Sequence, residues 1–595
     1  MAIETPISPS TAEFTLKVEG SINQDGVQVY GFHIDKQINK IPFAKIVILD
    51  GDIAKQEYKL TNGDDFVPGK EVTLLAGSVD VQEELFKGII VSQKIVQNER
   101  GTLLEICVKD TAVRMTVGRK NAYFLDKSDD DILEEILRSY ASKGISFQVD
   151  SAKFTVTHTE MVQYYCTDWD FLVSRAEASA RVVMVDNGKI TITTPEVTFN
   201  QGNFALVFGE NTYNFEAEMD ARNEYSDVVA KSWDYSERKV EEKEITEVQN
   251  FQTEGNISPD TLAEDVIGLD EYLLQHGGNL NPVELELWAY SKMLRSRMSK
   301  IRGRAKVDGT SKLNPGDNIT ISKFTERYNG PAYVSGIRHE MSGESTWFTD
   351  VQFGYCEEWF YEKYDDIVDK PAAGLLPAVT GLMIGIVTGI SNSDDPEGNH
   401  RIRVKMPMVD DDSEGVWARV TTLDAGEGHG VFFRPEVGDE VVLGFLDDDP
   451  RQPIVLGALF SSGNAEPEVS VENDDENYEK GIFTKSGLKV HFNDDEETVT
   501  IATKDEENKI VITAKDEPSI LMEDKNGNKF EMNKDGILIE SAKDITLKTA
   551  KGDVTVDGVN IEMAAQAQLK AEGSGSAEIN SSGSTAISGS IVQIN

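Results

Sequence analysis

From Gly481 to Asn595 the chain repeats a short apolar-x-apolar beat: Ile545-Thr546-Leu547, Val554-Thr555-Val556, Val559-Asn560-Ile561, Ala567-Gln568-Leu569 and Ala577-Glu578-Ile579. One anchor per beat (Ile537, Ile545, Val554, Ile561, Leu569, Ala577, Ile587, Ile594) recurs at intervals of 7 to 10 residues. Alternation inside a beat marks a strand, and a short period between beats marks strands that stack. One small apolar residue per beat buries too little surface to offset the entropy of ordering a lone chain. Three chains wound about one axis avoid this, because every repeat then adds an inward residue to a shared core. The repeat therefore predicts a rod of three wound chains over 481–595. Ile545, Val554, Ile561, Leu569, Ile579 and Ile587 are its expected trimer core. Beyond Gly573 the beats are mostly Ser, Gly, Ala and Ile, so the rod tapers. At a strand spacing of about 4.8 Å, about fourteen beats make a needle on the order of 70 Å long.

The remainder of the 595 residues exceeds what one core organises, so several domains are expected. A net charge of −46 opposes nucleic acid and anionic membrane surfaces as partners. Cys107, Cys166 and Cys356 are odd in number and far apart, which fits buried thiols in a reducing compartment and no disulfide framework. The apolar run Ala372–Ile390 is broken by glycine and proline, so it reads as a linker entering a strand and not as a membrane span. The N-terminal sequence shows no charged segment followed by an apolar core, so a protein made in the cytoplasm without a signal peptide is expected.

The N-terminal half reads as β-rich with a few helices. Strands are expected at Glu13–Val18, Phe43–Leu49 and Phe86–Val96. Ser128 precedes a helix with the stripe Ile132, Leu133, Ile136, Leu137 and Tyr140; Asp129, Asp130 and Asp131 read as its acidic first turn and not as a metal cluster. A second helix starts at Thr167 or Asp168 and a third at Asn281-Pro282, with Glu284 placed to close a capping box. Residues 239–280 lean toward helix. Lys292, Arg295, Arg297, Lys300, Arg302, Arg304 and Lys306 then follow one another without an intervening acid. One reading places cations at a helix C-terminus. The other makes Arg295, Arg297, Arg302 and Arg304 an assembly contact.

Residues 380–462 read as five or so strands with tight turns. In order they hold Asp395-Pro396, Arg401-Ile402-Arg403-Val404, Trp417-Ala418-Arg419-Val420, Ala425-Gly426-Glu427-Gly428, Pro435-Glu436-Val437-Gly438-Asp439, Asp449-Pro450 and Gly457-Ala458-Leu459. Trp417 and Phe445 are large enough to anchor a small barrel. The acidic runs Asp410–Asp412 and Asp447–Asp449 speak against a nucleic-acid groove. An acidic connector over 463–480 leads into the repeat.

Three stretches carry a family resemblance. The 163–172 segment QYYCTDWDFL, the strand Phe86-Lys87-Gly88-Ile89-Ile90 and the 334–354 segment resemble the hub of VgrG-type spike proteins of contractile injection systems. The ordered motifs of 380–462 are similar to the OB-fold module of the same spikes, and the tail over 481–595 is similar to their triple-stranded β-helix, the needle of the spike. The resemblance implies a mainly β, phage-tail-hub-like region over 1–372 with two barrel-like subdomains, an OB-fold, and a homotrimer. Its implied partners are inner tube and baseplate proteins, a PAAR-type tip protein at Ile591, Ile594 and Asn595, effectors, and a target membrane breached by puncture. No cofactor, no nucleic acid and no catalytic site are implied: the seven histidines are scattered, and no nucleophile, phosphate-loop or metal motif appears. The connector is too short for an inserted lysozyme, and no sequence follows Asn595 for an effector domain. The alternative is a secreted β-helical surface protein or polysaccharide-active enzyme with a groove along the rod.

Overall fold

A computed structural model describes residues 12–594 apart from 23–26, 53, 79–80, 100, 199–203, 270, 343–345 and 469–474. It divides into two units, Met1–Gly381 with Phe445–Gln452, and Leu382–Gly444 with Pro453–Asn595.

The first unit is built on one thirteen-stranded sheet. Its main strands are β1 (Glu13–Val18), β2 (Val29–Gln37), β3 (Phe43–Leu49), β4 (Glu71–Gly77), β5 (Gln82–Asn98) and β6 (Gly101–Lys109). Outside this sheet β7 (Lys120–Ser128) pairs with β8 (Thr157–Cys166) as a ribbon, between which lies helix α1 (Asp129–Arg138); helix α2 (Asp168–Ala178) follows. Strand β9 (Thr212–Met219) returns to the large sheet. Strands β10 (Val228–Asp234), β11 (Lys239–Ile245) and β12 (Tyr272–His276) form a small sheet, followed by helix α3 (Pro282–Ser299). Strands β13 (Ile301–Asp308), β14 (Gly330–Met341) and β15 (Trp347–Phe353) complete the order β9-β13-β15-β14-β2-β3-β6-β5-β4-β1.

Two cores sit on the two halves of that sheet. One gathers Ile34, Ile46, Leu74, Phe86, Ile106 and Trp347, the other Ile301, Val307, Ile319, Val334, Ile337 and Phe353. The two cores thus share one sheet, joined where β2 pairs antiparallel with β14. Outward side chains mark the seam: Asp35 meets Arg338 at 3.5 Å and His33 Nδ1 meets Glu340 at 3.2 Å. Inward, His339 is fully buried against Thr349 at 3.0 Å, and burial lowers its pKa to about 3, which keeps the ring neutral.

The helices start where capping chemistry dictates. Ser128 Oγ accepts from the Asp131 amide at 3.2 Å while the Asp131 carboxylate accepts from the Ser128 amide at 3.1 Å, which closes a capping box on α1. Thr167 caps α2 and Asn281 caps α3, with Pro282 in the first turn. Glu284 closes no box at α3; it lies instead 3.4 Å from Arg175. Residues 239–280 meet the expected helical lean only at Pro259–Leu262 and Ala263–Ile267. The alternating KVEEKEI segment is strand β11, which pairs with β10, and Tyr272–His276 is a strand parallel to β10.

In the second unit, β16 (Met383–Gly389), β17 (Ile402–Lys405), β18 (Val416–Val420), β19 (Glu440–Phe445) and β20 (Pro453–Ala458) close a five-stranded barrel in the order β16-β17-β18-β20-β19. Its core is Val387, Ile402, Val404, Ala418, Val441, Leu443 and Val455. Trp417 does not anchor it. Period-2 alternation turns Trp417 outward beside Arg403, whose guanidinium lies 4.7 Å from the ring centroid. Phe445 is half-buried at the barrel edge.

The tail begins as a seven-stranded antiparallel meander: β21 (Glu479–Phe483), β22 (Lys489–Asn493), β23 (Thr498–Ala502), β24 (Lys509–Thr513), β25 (Ser519–Glu523), β26 (Lys529–Asn533) and β27 (Gly536–Glu540). Successive turns brace one another. Lys515 Nζ reaches Asp495 at 3.1 Å, and Lys534 Nζ reaches Glu517 at 2.8 Å. From 541 to 594 the described residues form no strand and are exposed almost throughout.

Candidate assembly surfaces

Register places the apolar residues of the meander in two unbroken rows on one face. The first runs Ile482, Val490, Ile501, Ile510, Met522, Phe530, Ile539, each directly opposite the next. The second, two residues along each strand, runs Phe492, Val499, Ile512, Ile520, Met532, Ile537. The other face carries His491, Thr500, Glu531 and the shorter apolar pair Val511 and Leu521. A strand-period pattern with one apolar face belongs to a sheet packed on something. Among the described residues much of this face stays uncovered: Phe492, Ile501, Ile512, Met522 and Ile539 are 40% to 55% exposed. The first row lines a groove of about 830 Å³ that Leu488, Asp544 and Ile545 also border. Contiguous apolar surface of this extent marks an interface.

The six expected core residues of the spike, Ile545, Val554, Ile561, Leu569, Ile579 and Ile587, lie in the stretch without strands and are 51% to 82% exposed. Ile591 and Ile594 are exposed as well, and Asn595 lies outside the described residues.

The basic run is corrected by the structure. Arg295 and Arg297 are buried. Arg295 pairs with the Glu177 carboxylate, donates to the Glu358 carbonyl at 2.7 Å and stacks 4.7 Å from the Trp359 ring centroid. Arg297 bonds Glu224 at 3.1 Å and Asp260 at 3.0 Å. Neither reaches an assembly surface. The helix ends at Ser299, and Arg302, Arg304 and Lys306 alternate along strand β13. Cross-strand acids face them: Glu218 opposite Arg302, Glu216 opposite Arg304, Asp350 opposite Lys306. The sequence lacked intervening acids because their partners lie on neighbouring strands. Arg302 is half-buried and bonds Asp220 at 3.2 Å, which leaves Arg304 the exposed member of the four.

Sequence reading missed two interior polar clusters. Asp129 is not a first-turn cap acid alone: it is buried and accepts from Arg175 Nε at 2.8 Å, with His158 Nε2 at 3.1 Å. Burial opposes its ionisation, yet His158 and Arg175 outweigh that and hold the carboxyl well below the usual range. In the 163–172 segment, Asp168 is buried and bonded by Gln163 at 2.9 Å and Tyr140 at 2.7 Å, while Trp169, Phe171 and Leu172 enter the core. That motif is a packing device linking β8 to α2.

The second cluster surrounds Lys300, which is fully buried and donates to the Glu254 carbonyl at 2.6 Å and to Thr253 Oγ1 at 2.9 Å. Burial pushes the Glu224 carboxyl up to about 8 despite Arg297 and Lys300, and the Glu254 carboxyl up to about 7. A carboxyl whose folded value stands above its unfolded value of 4.5 contributes stability that is complete below that value and lost as pH rises toward 8. Glu224→Gln mimics the protonated form, and Arg297 keeps Asp260. The variant's melting temperature is therefore expected to match the parent near pH 5 and exceed it by several degrees at pH 8.5, measured by thermal melts across pH. Parallel profiles would show that Glu224 titrates normally.

Residues 8–343, more than half of the chain, match the family model of the Alg8 N-terminal domain, and residues 383–460 match that of the Type VI secretion system/phage-baseplate injector OB domain. The type VI secretion system spike protein VgrG4b of Pseudomonas aeruginosa is 28% identical over 143 residues, 23% of this chain and 18% of that protein. VgrG5 of the same bacterium is 34% identical over 123 residues, 20% of this chain and 16% of that protein. The matched stretches thus span less than one fifth of the length of these relatives. The 43 kDa tail protein of prophage MuSo2 from Shewanella oneidensis is 12% identical, covers 58% of this chain and 99% of its own, and superposes with a TM-score of 0.43. The chain belongs to the family of the Alg8 N-terminal domain, joined here to an injector OB domain, and is similar over the matched stretches to VgrG spike proteins.

Proposed function

We propose that three copies of this chain form the spike and hub at the tip of a contractile injection system. The observation that carries the reading is the pair of uncovered apolar rows on the tail meander, followed by 541–594, which keeps a strand pattern without pairing within its own chain. Fully burying an aliphatic or aromatic side chain contributes about 1.5–3 kcal/mol. Three such sheets facing a common axis satisfy all the rows at once, and three copies of 541–594 supply one another's strand partners.

In this reading the boundaries are 1–372 for the hub, 380–462 for the OB module, 463–480 for the connector and 481–595 for the needle. The hub's two sheet halves, three chains over, give six similar faces to a hexameric tube. The needle concentrates the force of contraction on a target membrane, and Ile545, Val554, Ile561, Leu569, Ile579 and Ile587 form its axial core. Ile591, Ile594 and Asn595 seat a PAAR-type tip protein, effectors travel with the spike, and Arg304 is the remaining candidate from the basic run for an assembly contact. The work is mechanical and non-enzymatic. No helix of the described residues is long and apolar enough to cross a membrane.

Light scattering on the purified chain tests this. The expected mass is three times the 65.8 kDa of one chain, with an elongated profile. A monomer would overturn the reading in favour of a rod with an exposed groove, such as a surface protein or polysaccharide-active enzyme.

A further inference from the structure

We infer that the polar groove on the outward face of the seam between β14 and β2 is an anion site, built around Lys40 and Lys363 to take a carboxylate from an acidic segment of a partner protein. Every residue of the site belongs to the first unit of one chain, so it goes beyond the spike reading and stands apart from trimer formation. The groove measures about 1,070 Å³, and Lys40, Arg338, Cys356 and Lys363 are among its lining. Small-molecule sites run to about 300–1,000 Å³, so this one has room for a peptide segment and not only for an ion.

Neither lysine is ion-paired among the described residues, in a chain with 104 acidic residues against 58 basic ones. Their contacts are neutral: Lys40 Nζ donates to Gln37 Oε1 at 2.6 Å, and Lys363 Nζ lies 3.8 Å from Cys356 Sγ. Burial lowers the Lys40 ammonium below its ordinary value, and Lys363 and Arg338 push the same way while Asp35 opposes them. Asp35 is itself committed, accepting from Gln37 Nε2 at 2.9 Å and facing Arg338 at 3.5 Å. The site thus holds like charges without a counter-ion of its own.

One buried residue fixes both lysines in place. Glu177 Oε1 accepts from Asn39 Nδ2 at 2.8 Å, beside Lys40, and Asn39 Oδ1 accepts from the Val183 amide at 2.7 Å. Glu177 Oε2 accepts from the Phe360 amide at 2.7 Å, at the start of the helical turn Phe360–Lys363 that ends in the second lysine. Cations held near one another by such an anchor repel, and an anion received between them turns the repulsion into attraction. Preorganised donors of this kind bind without first paying to be ordered. The walls select the anion: Asp35, Glu340 and Glu358 also line the groove and oppose a phosphate dianion more strongly than a single carboxylate.

Fluorescently labelled hexaglutamate, with hexaglutamine as the neutral control, tests the site on the full-length chain at moderate salt. The net charge of −46 repels a polyanion in general, so saturable binding reports a local cationic site. Hexaglutamate is expected to bind and hexaglutamine not. Lys40→Gln with Lys363→Gln should weaken binding about tenfold or more, the equivalent of one lost charge-assisted hydrogen bond, while Lys363→Arg retains it. Alkylation of Cys356 by iodoacetamide, followed by peptide mass, should slow with hexaglutamate and not with hexaglutamine. A peptide that fails to bind, binds the double variant as well as the parent, or leaves Cys356 alkylation unchanged overturns the site. Inorganic phosphate that protects Cys356 as well as the peptide does, at equal concentration, overturns the acidic segment as occupant. Should the double variant misfold, Lys363→Glu at an exposed position serves instead and is expected to abolish binding; retained binding overturns the site. Light scattering on the same samples reads the trimer separately, so loss of the site and loss of the trimer are told apart.

Discussion

Replacing Ile512 and Ile520 with aspartate is expected to leave the chain monomeric while its N-terminal unit stays folded. The two residues are directly opposite one another in the second apolar row, and neither makes a polar contact that aspartate would replace. In a threefold assembly the double variant brings six carboxylates into one apolar interior. An ionised carboxylate without a partner is far costlier to bury than the apolar gain it replaces, so the group must take a proton or the interface must open. At neutral pH opening is cheaper, because the sheet face is already solvated in the single chain. Light scattering checks the mass and circular dichroism the fold. Thr500→Asp, on the opposite face of the same sheet, is the control and should remain trimeric. A double variant that stays trimeric would place the apolar face outside the interface.

Arg295→Ala is expected to destabilise the N-terminal unit by about 3–5 kcal/mol, the usual cost of removing one partner of a buried ion pair. The loss is concentrated on Glu177. Its carboxylate is buried, accepts from Asn39 Nδ2 at 2.8 Å and from the Phe360 amide at 2.7 Å, and relies on Arg295 for charge. Burial already pushes this carboxyl upward, and Arg295 is the main group opposing the shift. Without the arginine, Glu177 must take up a proton, so the variant should recover part of its stability as the pH is lowered. Arg295→Met combined with Glu177→Gln should recover much of it at neutral pH. Chemical denaturation followed by tryptophan fluorescence measures both. Arg304→Ala is the contrast: its pair with Glu216 is exposed on both sides, so a change of about 0–1 kcal/mol is expected.

These two predictions rest on residues that the sequence made legible to different degrees. The meander strands were readable because five-residue runs such as Thr498–Ala502 and Lys509–Thr513 alternate between clear turn residues. The helix starts at Ser128, Thr167 and Asn281 were readable because capping is local chemistry. Arg295 and Arg297 were misplaced for the complementary reason. Their partners Glu177 and Glu224 lie 118 and 73 residues away in sequence, and no local pattern announces a contact of that range. The strand β13 was hidden in the same way, since its cations make sense only beside the acids of β9 and β15.

The sequence by itself determined the repeats, the turns, the caps and the order of modules, because each follows from the period and chemistry of neighbouring residues. It thereby determined that the tail has an apolar face in need of a partner. Only the tertiary structure decided that the two N-terminal halves share one sheet through β2 and β14, and that the basic run is spent on internal acids. It alone decided that, among the described residues, strand pairing ends at Glu540, because a strand's register and free edges depend on which strand lies beside it.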